Sequence, residues 1–419
     1  MAYKHINPIG GSMMHPVDPF RRAARIATVE LSEILRISEA AAALKRAGRD
    51  VISLGTGEPD FPTPPQVIEA AHAAAIAGET TYTATAGTTP LRQAIGAACA
   101  RDNGYWPEPD EIIVSCGAKQ VIFDAFFATL DAGDEVIIAA PYWTSYPDMV
   151  GVCGGTPVIV ATTAESGFKI TPDQLTAAIG AKTRWLLLNS PGNPSGAVYS
   201  QTELSALAEV LRTAPHVGII SDEIYQHICY VPFQSFRSAA PDLADRTLIV
   251  NGVSKSYAMT GWRIGWGIAP ERLIQAMVAV QGQITSGASS VSQAAALAAL
   301  SGDQQHLAER NDDFRARRNM VAGALNATGV IRAGSADGAF YLFPDCTATF
   351  GMTTPDGTEI ADDAGFCTAL LQAEGVALVP GRAFGVPGHF RLSYAYSRAS
   401  LIEACMRIAR FCSTLTAKV

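Results

Sequence analysis

The chain has 419 residues, of which 48% are hydrophobic and 17% are charged, and its formal net charge is −8. This composition predicts a folded protein with a core large enough for two lobes and excludes a mainly disordered chain. The negative charge, without a basic run, excludes a general attraction to nucleic acid or anionic membrane. No apolar run reaches the roughly 18 residues that span a bilayer, and residues 1–20 lack the apolar core of a signal peptide, which predicts a cytoplasmic protein.

Four segments are predicted along the chain. Residues 1–20 form a flexible N-terminal extension, residues 21–55 join a small domain, residues 56–300 form a large domain, and residues 301–419 form the rest of the small domain. Eight cysteines are scattered without CxxC pairs or nearby histidines, so we expect mostly reduced core cysteines and no metal site.

An alternation of strands and helices between about residues 110 and 300 predicts an α/β domain on a mainly parallel, seven-stranded sheet flanked by helices. The candidate strands are short and rich in Val and Ile, as strands buried on both faces are. They are EIIVSC at 111–116, DEVIIAA at 134–140, TPVIV at 156–160, TRWLLLN at 183–189, VGIISD at 217–222, TLIVNG at 247–252 and WGIA at 266–269. Beyond residue 300, a long charged helix, the strand-like GAFYLF and FRLSYAY, and a terminal helix predict a smaller α+β domain.

Ligands of open α/β sheets bind beyond the carboxyl ends of the strands, so the residues there are candidates for a site. Gly117, Ala118 and Lys119 follow the first strand and begin a helix, whose free N–H groups and dipole suit a phosphate. The alternative there is a plain turn. Trp143 follows the second strand and is suited either to stack on a flat ring or to pack in the core.

Two further strands end in polar residues. Asn193 lies in SPGNPSG after TRWLLLN, where it is either a side-chain donor or part of a connecting turn. Asp222 ends VGIISD, where a buried acid is costly unless it is paired. A cap for the next helix is the alternative for Asp222. Tyr225 follows three residues later.

Lys255 follows TLIV in the stretch NGVSKSYAMTGWRIGW. Its flanks are mainly apolar, which predicts that the amine loses water and that its pKa falls, because desolvation disfavours the charged form. A neutral amine can attack a carbonyl and form a Schiff base. Arg263, in the same stretch, can grip a phosphate with two hydrogen bonds. A solvated basic loop is the alternative for both residues.

Together these residues supply what pyridoxal phosphate requires: a ring to stack on, a phosphate anchor, an amine for its aldehyde and an anion for its pyridine nitrogen. GEPDF at 57–61, NSPGNPSG at 189–196, SDEIY at 221–225 and NGVSKSYAMTGWRIGW at 251–266 resemble the class I aminotransferases, which are fold-type I pyridoxal-phosphate enzymes. Within them, the chain resembles the bacterial aspartate aminotransferase subgroup that includes aspartate/prephenate enzymes. The resemblance covers about residues 45–415.

The resemblance implies a role for each matching residue. Lys255 is expected to bind the coenzyme aldehyde and to shuttle the substrate proton. Asp222 is expected to pair with the pyridine nitrogen, and Tyr225 and Asn193 to hydrogen-bond the ring oxygen. Trp143 would lie over the ring. The residues expected to hold the phosphate are Gly117, Ala118, Lys119, Ser254, Arg263 and, from a neighbouring subunit of a homodimer, Tyr82.

Arg391, in HFRLSYA, resembles the arginine that clamps the substrate α-carboxylate, and it is expected to lie beside Gly57, Asn193 and Trp143. The implied activity is the exchange of an amino group between an amino acid and a 2-oxo acid in two half-reactions, with aspartate and 2-oxoglutarate as the first choice. A transaminase for an aromatic or basic amino acid or for prephenate, and a β-lyase, stay open as alternatives.

Two rival classes of protein are disfavoured. A non-catalytic sensor of this shape carries an added DNA-binding domain, for which the N-terminal segment offers no room. A nicotinamide dehydrogenase would need a GxGxxG turn that the chain lacks.

The chain departs from the subgroup at LSEILRIS, residues 31–38, where the subgroup meets the substrate side chain. If Glu33 faces the pocket it would repel a second substrate carboxylate, whereas Arg36 would attract one. At about 4 Å the repulsion would amount to ~4 kcal/mol, which is enough to decide specificity. Arg382, in a loop after VPG, is a second departure that would add positive charge near the mouth.

Overall fold

The structure is a computed structural model that describes Phe20, residues 22–26, Val29 and residues 33–417. The predicted extension at residues 1–20 lies outside the described residues, apart from Phe20. No helix in the described ranges is both long and apolar enough to cross a membrane.

The described ranges contain twelve strands, and the seven predicted ones are all present. The strands are β1 (Ile52–Ser53), β2 (Ile112–Ser115), β3 (Glu135–Ala140), β4 (Thr156–Ala161), β5 (Thr183–Asn189), β6 (Gly218–Asp222), β7 (Thr247–Gly252), β8 (Gly265–Ile268), β9 (Tyr341–Leu342), β10 (Val376–Ala377), β11 (Val379–Pro380) and β12 (Phe390–Ser393). The predicted strands are β2 to β8, with ends that differ from the prediction by one residue at most.

Thirteen α-helices accompany the strands in this part of the chain. They are α1 (Glu33–Arg46), α2 (Pro65–Ile76), α3 (Thr89–Asn103), α4 (Ala118–Thr129), α5 (Ser145–Val152), α6 (Pro172–Ala178), α7 (Gln201–Arg212), α8 (Phe236–Ala239), α9 (Glu271–Ile284), α10 (Ser290–Ser301), α11 (Gln305–Asn326), α12 (Asp363–Glu374) and α13 (Arg398–Thr414). Short 3₁₀ turns include Thr260–Trp262 and Gly381–Phe384. Helices α6 and α7 begin with capping boxes, Thr171 with Gln174 and Ser200 with Glu203.

The main sheet has the strand order β2-β8-β7-β6-β5-β3-β4. All neighbours are parallel except β8, which is antiparallel to β2 and to β7, so the other six strands point the same way. Strands β2 and β7 are buried at every position, which explains why apolar residues are adjacent in them, IIV in β2 and LIV in β7. Because six carboxyl ends meet at one edge, the residues after β2, β3, β5, β6 and β7 lie close together.

Apolar clusters cover both faces of this sheet, and a third cluster lies around β9, β12, α11, α12 and α13. There, β11, β12 and β9 form a small antiparallel sheet, and β1 pairs in parallel with β10. Strand β1 is thus joined to the C-terminal part. We propose the domain boundaries at 55/56 and 300/301, which these pairings support.

Candidate active site

A cavity of about 680 Å³ opens at the carboxyl edge of the main sheet. Eleven of the thirteen predicted site residues line it: Gly57, Ala118, Lys119, Trp143, Asn193, Asp222, Tyr225, Ser254, Lys255, Arg263 and Arg391. Two predicted residues do not line it. Gly117 immediately precedes the lining residue Ala118 in the chain. Tyr82 is 94% exposed on the surface of the single chain.

Lys255 lies just beyond β7, and its ammonium group points back toward the N-terminal segment. Its Nζ donates a hydrogen bond to the carbonyl oxygen of Gly57 at 2.6 Å. Burial lowers the pKa of Lys255 to about 8, and the nearby guanidinium groups of Arg391 and Arg263 act in the same direction. A fraction of neutral amine is therefore available near neutral pH for attack on an aldehyde.

Asp222 ends β6 and is only 3% exposed. Its Oδ2 accepts a hydrogen bond from the hydroxyl of Tyr146 at 2.7 Å, and its Oδ1 accepts one from the backbone N–H of Ile224 at 3.2 Å. Burial raises the pKa of Asp222 to about 6, against the lowering effect of these two hydrogen bonds. A cation placed at this carboxylate would compensate the cost of its burial.

The amino end of α4 forms a cradle beside Lys255. Gly117 has φ 93°, and a Cβ atom there would lie 2.4 Å from Nη2 of Arg263. Glycine is therefore required for Arg263 to reach over the start of the helix, where its Nη2 donates to the carbonyl of Cys116 at 3.1 Å. The first N–H groups of a helix lack partners within the helix. These groups and Arg263 fit the phosphate of the coenzyme.

Trp143 follows β3 and lines the cavity near the start of α4. Its ring packs edge-on against the Tyr146 ring, with 5.3 Å between centroids. The Lys119 ammonium lies 4.7 Å from the centroid of the Trp143 ring. Burial and the charge of Arg263 lower the pKa of Lys119. The flat face of Trp143 and the nearby charges suit a flat, anionic ligand.

Arg391 lies on β12 and is 2% exposed. Its Nη1 donates to Oδ1 of Asn193 at 3.0 Å, and its Nη2 donates to the carbonyl of Gly55. The guanidinium lies between the rings of Tyr341, at 4.6 Å, and Phe384, at 5.0 Å.

Among the described residues, Arg391 has no ion-pair partner, and its Nε has no hydrogen-bond partner. Burial lowers the pKa of Arg391. A buried, unpaired guanidinium is costly, so this arginine favours an anionic ligand.

Tyr225 lies in a turn after β6, and its hydroxyl is 3.0 Å from the hydroxyl of Tyr341. Asn189 connects the neighbouring segments, because its Nδ2 donates to the carbonyl of Asp222 and its Oδ1 accepts from the N–H of Asn193. No helix follows Asp222 directly, so the alternative of a helix cap for this acid is wrong.

Eleven lining residues are absent from the prediction: Ile34, Leu35, Ser38, Thr56, Glu58, Tyr146, Asn189, Ile224, Thr260, Gly261 and Tyr341. Tyr146 follows Trp143 by three residues, and this helical spacing is the signal that would have placed it on the same side. Neither Glu33 nor Arg36 lines the cavity. Glu33 instead accepts hydrogen bonds from Arg382, so its expected repulsion of a second carboxylate is not supported.

This sheet, with a buried acid, a desolvated lysine and an anion cradle at one edge, defines a fold-type I enzyme that depends on pyridoxal phosphate. The chain belongs to the family described as "Aminotransferase class I and II", whose family model matches residues 49–408. It is an aminotransferase that uses pyridoxal phosphate, and its fold and family agree with the resemblance in the sequence.

Curated relatives and solved structures cover nearly the whole chain. The chain is 51% identical over 399 residues to an aspartate aminotransferase of Rhizobium meliloti (strain 1021), which covers 95% of this chain and 97% of the relative. It is 48% identical to an aspartate/prephenate aminotransferase of Cereibacter sphaeroides, in an alignment that covers 93% of this chain and 98% of the relative. The crystal structure of the Rhizobium meliloti aspartate aminotransferase superposes with a TM-score of 0.93 at 51% identity, covering 95% of this chain and 100% of that chain.

Proposed function

We propose that this aminotransferase takes aspartate as amino donor and 2-oxoglutarate as acceptor, in two successive half-reactions. The observation that carries the proposal is the Lys119 ammonium group, a cavity cation left over once the other cations have their anions. Four cations line the cavity, Lys119, Lys255, Arg263 and Arg391, together with two carboxylates, Glu58 and Asp222. The coenzyme phosphate and the substrate α-carboxylate leave Lys119 available for a second substrate carboxylate.

Each cation has one task. Arg263 and the start of α4 hold the phosphate, and the buried Arg391 holds the substrate α-carboxylate with Asn193 beside it. Lys255 supplies the amine. The ammonium group of Lys119 remains, and it has no carboxylate within ion-pair distance among the described residues. We therefore assign Lys119 to the second carboxylate of aspartate, in place of the phosphate that the resemblance implies for it.

Bound pyridoxal phosphate supplies an electron sink for the substrate α-carbon. When the coenzyme is bound, Lys255 would hold its aldehyde and would move a proton to and from the substrate α-carbon. Asp222, held by Tyr146, would pair with the pyridine nitrogen, and Tyr225 and Asn193 would hydrogen-bond the ring oxygen. Trp143 would cover the ring, and Gly57 would lie beside Lys255. The coenzyme end of the cavity is defined here as Ala118, Asp222, Ser254, Lys255 and Arg263, and the substrate end as Gly57, Asn193 and Arg391.

The enzyme is proposed to act as a homodimer in the cytoplasm. Tyr82 supports the dimer, because a tyrosine that is 94% exposed is suited to reach the phosphate of a neighbouring subunit across an interface. Eight cysteines that are all unpaired in the structure fit a reducing compartment.

The test compares donors on the coenzyme-loaded protein. Aspartate, glutamate, aromatic and basic amino acids are added singly, and the visible absorbance band of the coenzyme is followed. We expect aspartate to convert it at the lowest concentration, and conversion by an aromatic or basic amino acid in preference would contradict the proposal. Prephenate is a second acceptor to test, since a relative at 48% identity is named aspartate/prephenate aminotransferase. Pyruvate released without an acceptor would indicate a β-lyase.

The variant Lys119→Met tests recognition of the side-chain carboxylate of aspartate independently of recognition of its α-carboxylate. Loss of a charge-assisted bond is expected to raise the KM for aspartate by about 10- to 100-fold. Alanine, which has no second carboxylate, serves as the matched control and should react with an unchanged KM. An equal loss for both donors would show that Lys119 does not select the side chain.

A further inference from the structure

An ion pair joins the start of helix α1 to the C-terminal part of the chain. Oε1 of Glu33 accepts hydrogen bonds from Nε of Arg382 at 3.1 Å and from Nη2 at 2.7 Å. Glu33 is the first residue of α1, and Arg382 lies in the 3₁₀ turn Gly381–Phe384. Both side chains lie outside the cavity lining.

Each partner belongs to an element that reaches the cavity. Ile34, Leu35 and Ser38 of α1 line it. Phe384, two residues after Arg382, is fully buried, and its ring lies 5.0 Å from the guanidinium carbon of Arg391. Ile34 also packs on the cluster that contains Phe384. The ion pair therefore joins one element that lines the cavity to another that packs on Arg391.

The two elements are not held equally firmly. The turn is fixed by the N–H of Arg382, which donates to Asp363 at 2.7 Å, and by the carbonyl of Phe384, which accepts from the N–H of Tyr142 at 3.1 Å. Helix α1 has a single fully buried residue, Ala41, two turns beyond Glu33. The 3₁₀ turn is therefore the fixed element, and the ion pair ties the first turn of α1 to it.

We propose that Glu33 and Arg382 are positioning residues that hold the first turn of α1 over Arg391, so that Ile34, Leu35 and Ser38 complete the wall around the bound amino acid. The inference rests on the proposed function, in which Arg391 binds the substrate α-carboxylate. Half-exposed ion pairs contribute little, so the expected effect is a KM increase of roughly two- to fivefold.

The surroundings predict an asymmetry between the two partners. Nη1 of Arg382 lies 3.7 Å from a carboxylate oxygen of Asp362, and Asp363 is also adjacent. Replacement of Arg382 leaves the carboxylates of Glu33, Asp362 and Asp363 near one another without a neutralising cation. Replacement of Glu33 leaves Arg382 with two carboxylate neighbours, Asp362 and Asp363. Arg382→Gln should therefore raise KM more than Glu33→Ala does.

The experiment is a double-mutant cycle on the coenzyme-loaded protein with Glu33→Ala, Arg382→Gln and the double variant. We expect a higher KM for aspartate, an unchanged kcat and an unchanged coenzyme dissociation constant. The KM of the double variant should not exceed that of Arg382→Gln, because either single replacement already removes the same ion pair. Amide hydrogen exchange without substrate should become faster in residues 33–40 of both single variants.

The matched control is Arg212→Gln. Arg212 makes a similar two-bond contact with Asp242, at 2.8 and 2.9 Å, away from the cavity, and its loss should leave KM unchanged. An unchanged KM in Glu33→Ala, or additive effects in the double variant, would overturn the inference. If the wild type does not convert aspartate, the proposed function fails independently, and the cycle is then measured with the amino acid that the wild type converts.

Discussion

The residues at the coenzyme end of the cavity lie at the ends of adjacent strands of one sheet. The residues at the substrate end come from distant parts of the chain. Asp222 is the last residue of β6, and Lys255 follows the end of β7 closely. Arg391 instead bonds Asn193 and Gly55, which are 198 and 336 residues away in sequence. The backbone of the main sheet fixes the first end, while side-chain contacts between segments fix the second. Changes at the first should affect kcat, and changes at the second should affect KM.

Lys255→Ala is expected to produce the largest loss. Removal of the residue proposed to shuttle the proton should lower kcat by about 10³-fold or more. The surface variant Lys182→Ala should retain full activity. Borohydride treatment of the loaded wild type, followed by a peptide map, should find the coenzyme attached at residue 255. An unlabelled residue 255 on a fully loaded sample would refute the assignment of the nucleophile.

Arg391→Lys tests the substrate end. Lysine keeps the charge but loses the paired geometry, and it leaves Asn193 and Gly55 without their donor. The KM for every amino acid donor should rise by about 10²-fold, since truncation of a buried charge contact costs roughly 3 kcal/mol or more. Coenzyme affinity should stay the same. If the coenzyme dissociation constant rises together with KM, the coenzyme end and the substrate end do not bind their ligands independently.

The coenzyme end could be predicted from sequence because its residues follow local patterns. An apolar run that ends in Asp222 or leads to Lys255 specifies both a strand and the residue at its end. The substrate end has no such pattern, and Arg391 was identified there only through a family resemblance. The contact of Glu33 with Arg382 joins residues 349 apart and depends on how α1 packs. Periodicity cannot reveal a contact of that kind.

Two adjacent buried acids at the end of β6 sharpen the comparison. Asp222 faces the cavity, whereas Oε1 of Glu223 accepts from the hydroxyls of Ser221 and Ser235 and from the N–H of Phe236. Burial raises the pKa of Glu223 from 4.5 to about 7. The folded protein therefore keeps this proton when the unfolded chain has lost it, and stability falls as the pH rises between these two values.

Glu223→Gln should remove this part of the pH dependence. One pKa unit corresponds to about 1.4 kcal/mol, so the free energy of unfolding of the variant relative to wild type should rise by about 2–3 kcal/mol between pH 5 and pH 8. Urea unfolding at several pH values measures it. Gln201→Ala, an exposed and non-titrating position on α7, should show the same pH dependence as wild type. A parallel course for Glu223→Gln would mean that Glu223 is ionised in the fold.

Tyr146→Phe should have the smallest effect, and it tests whether the coenzyme end relies on side chains beyond the strand ends. The Tyr146 hydroxyl donates to Asp222 and lowers its pKa, so its loss should raise that pKa by about one unit. Because Asp222 must be ionised to act, the acidic limb of the kcat profile should move to higher pH by the same amount. Tyr199→Phe loses another buried hydrogen bond, to the N–H of Ile170, and should leave the limb in place. If the acidic limb of the kcat profile stays at the same pH in Tyr146→Phe, the backbone alone sets the charge of Asp222.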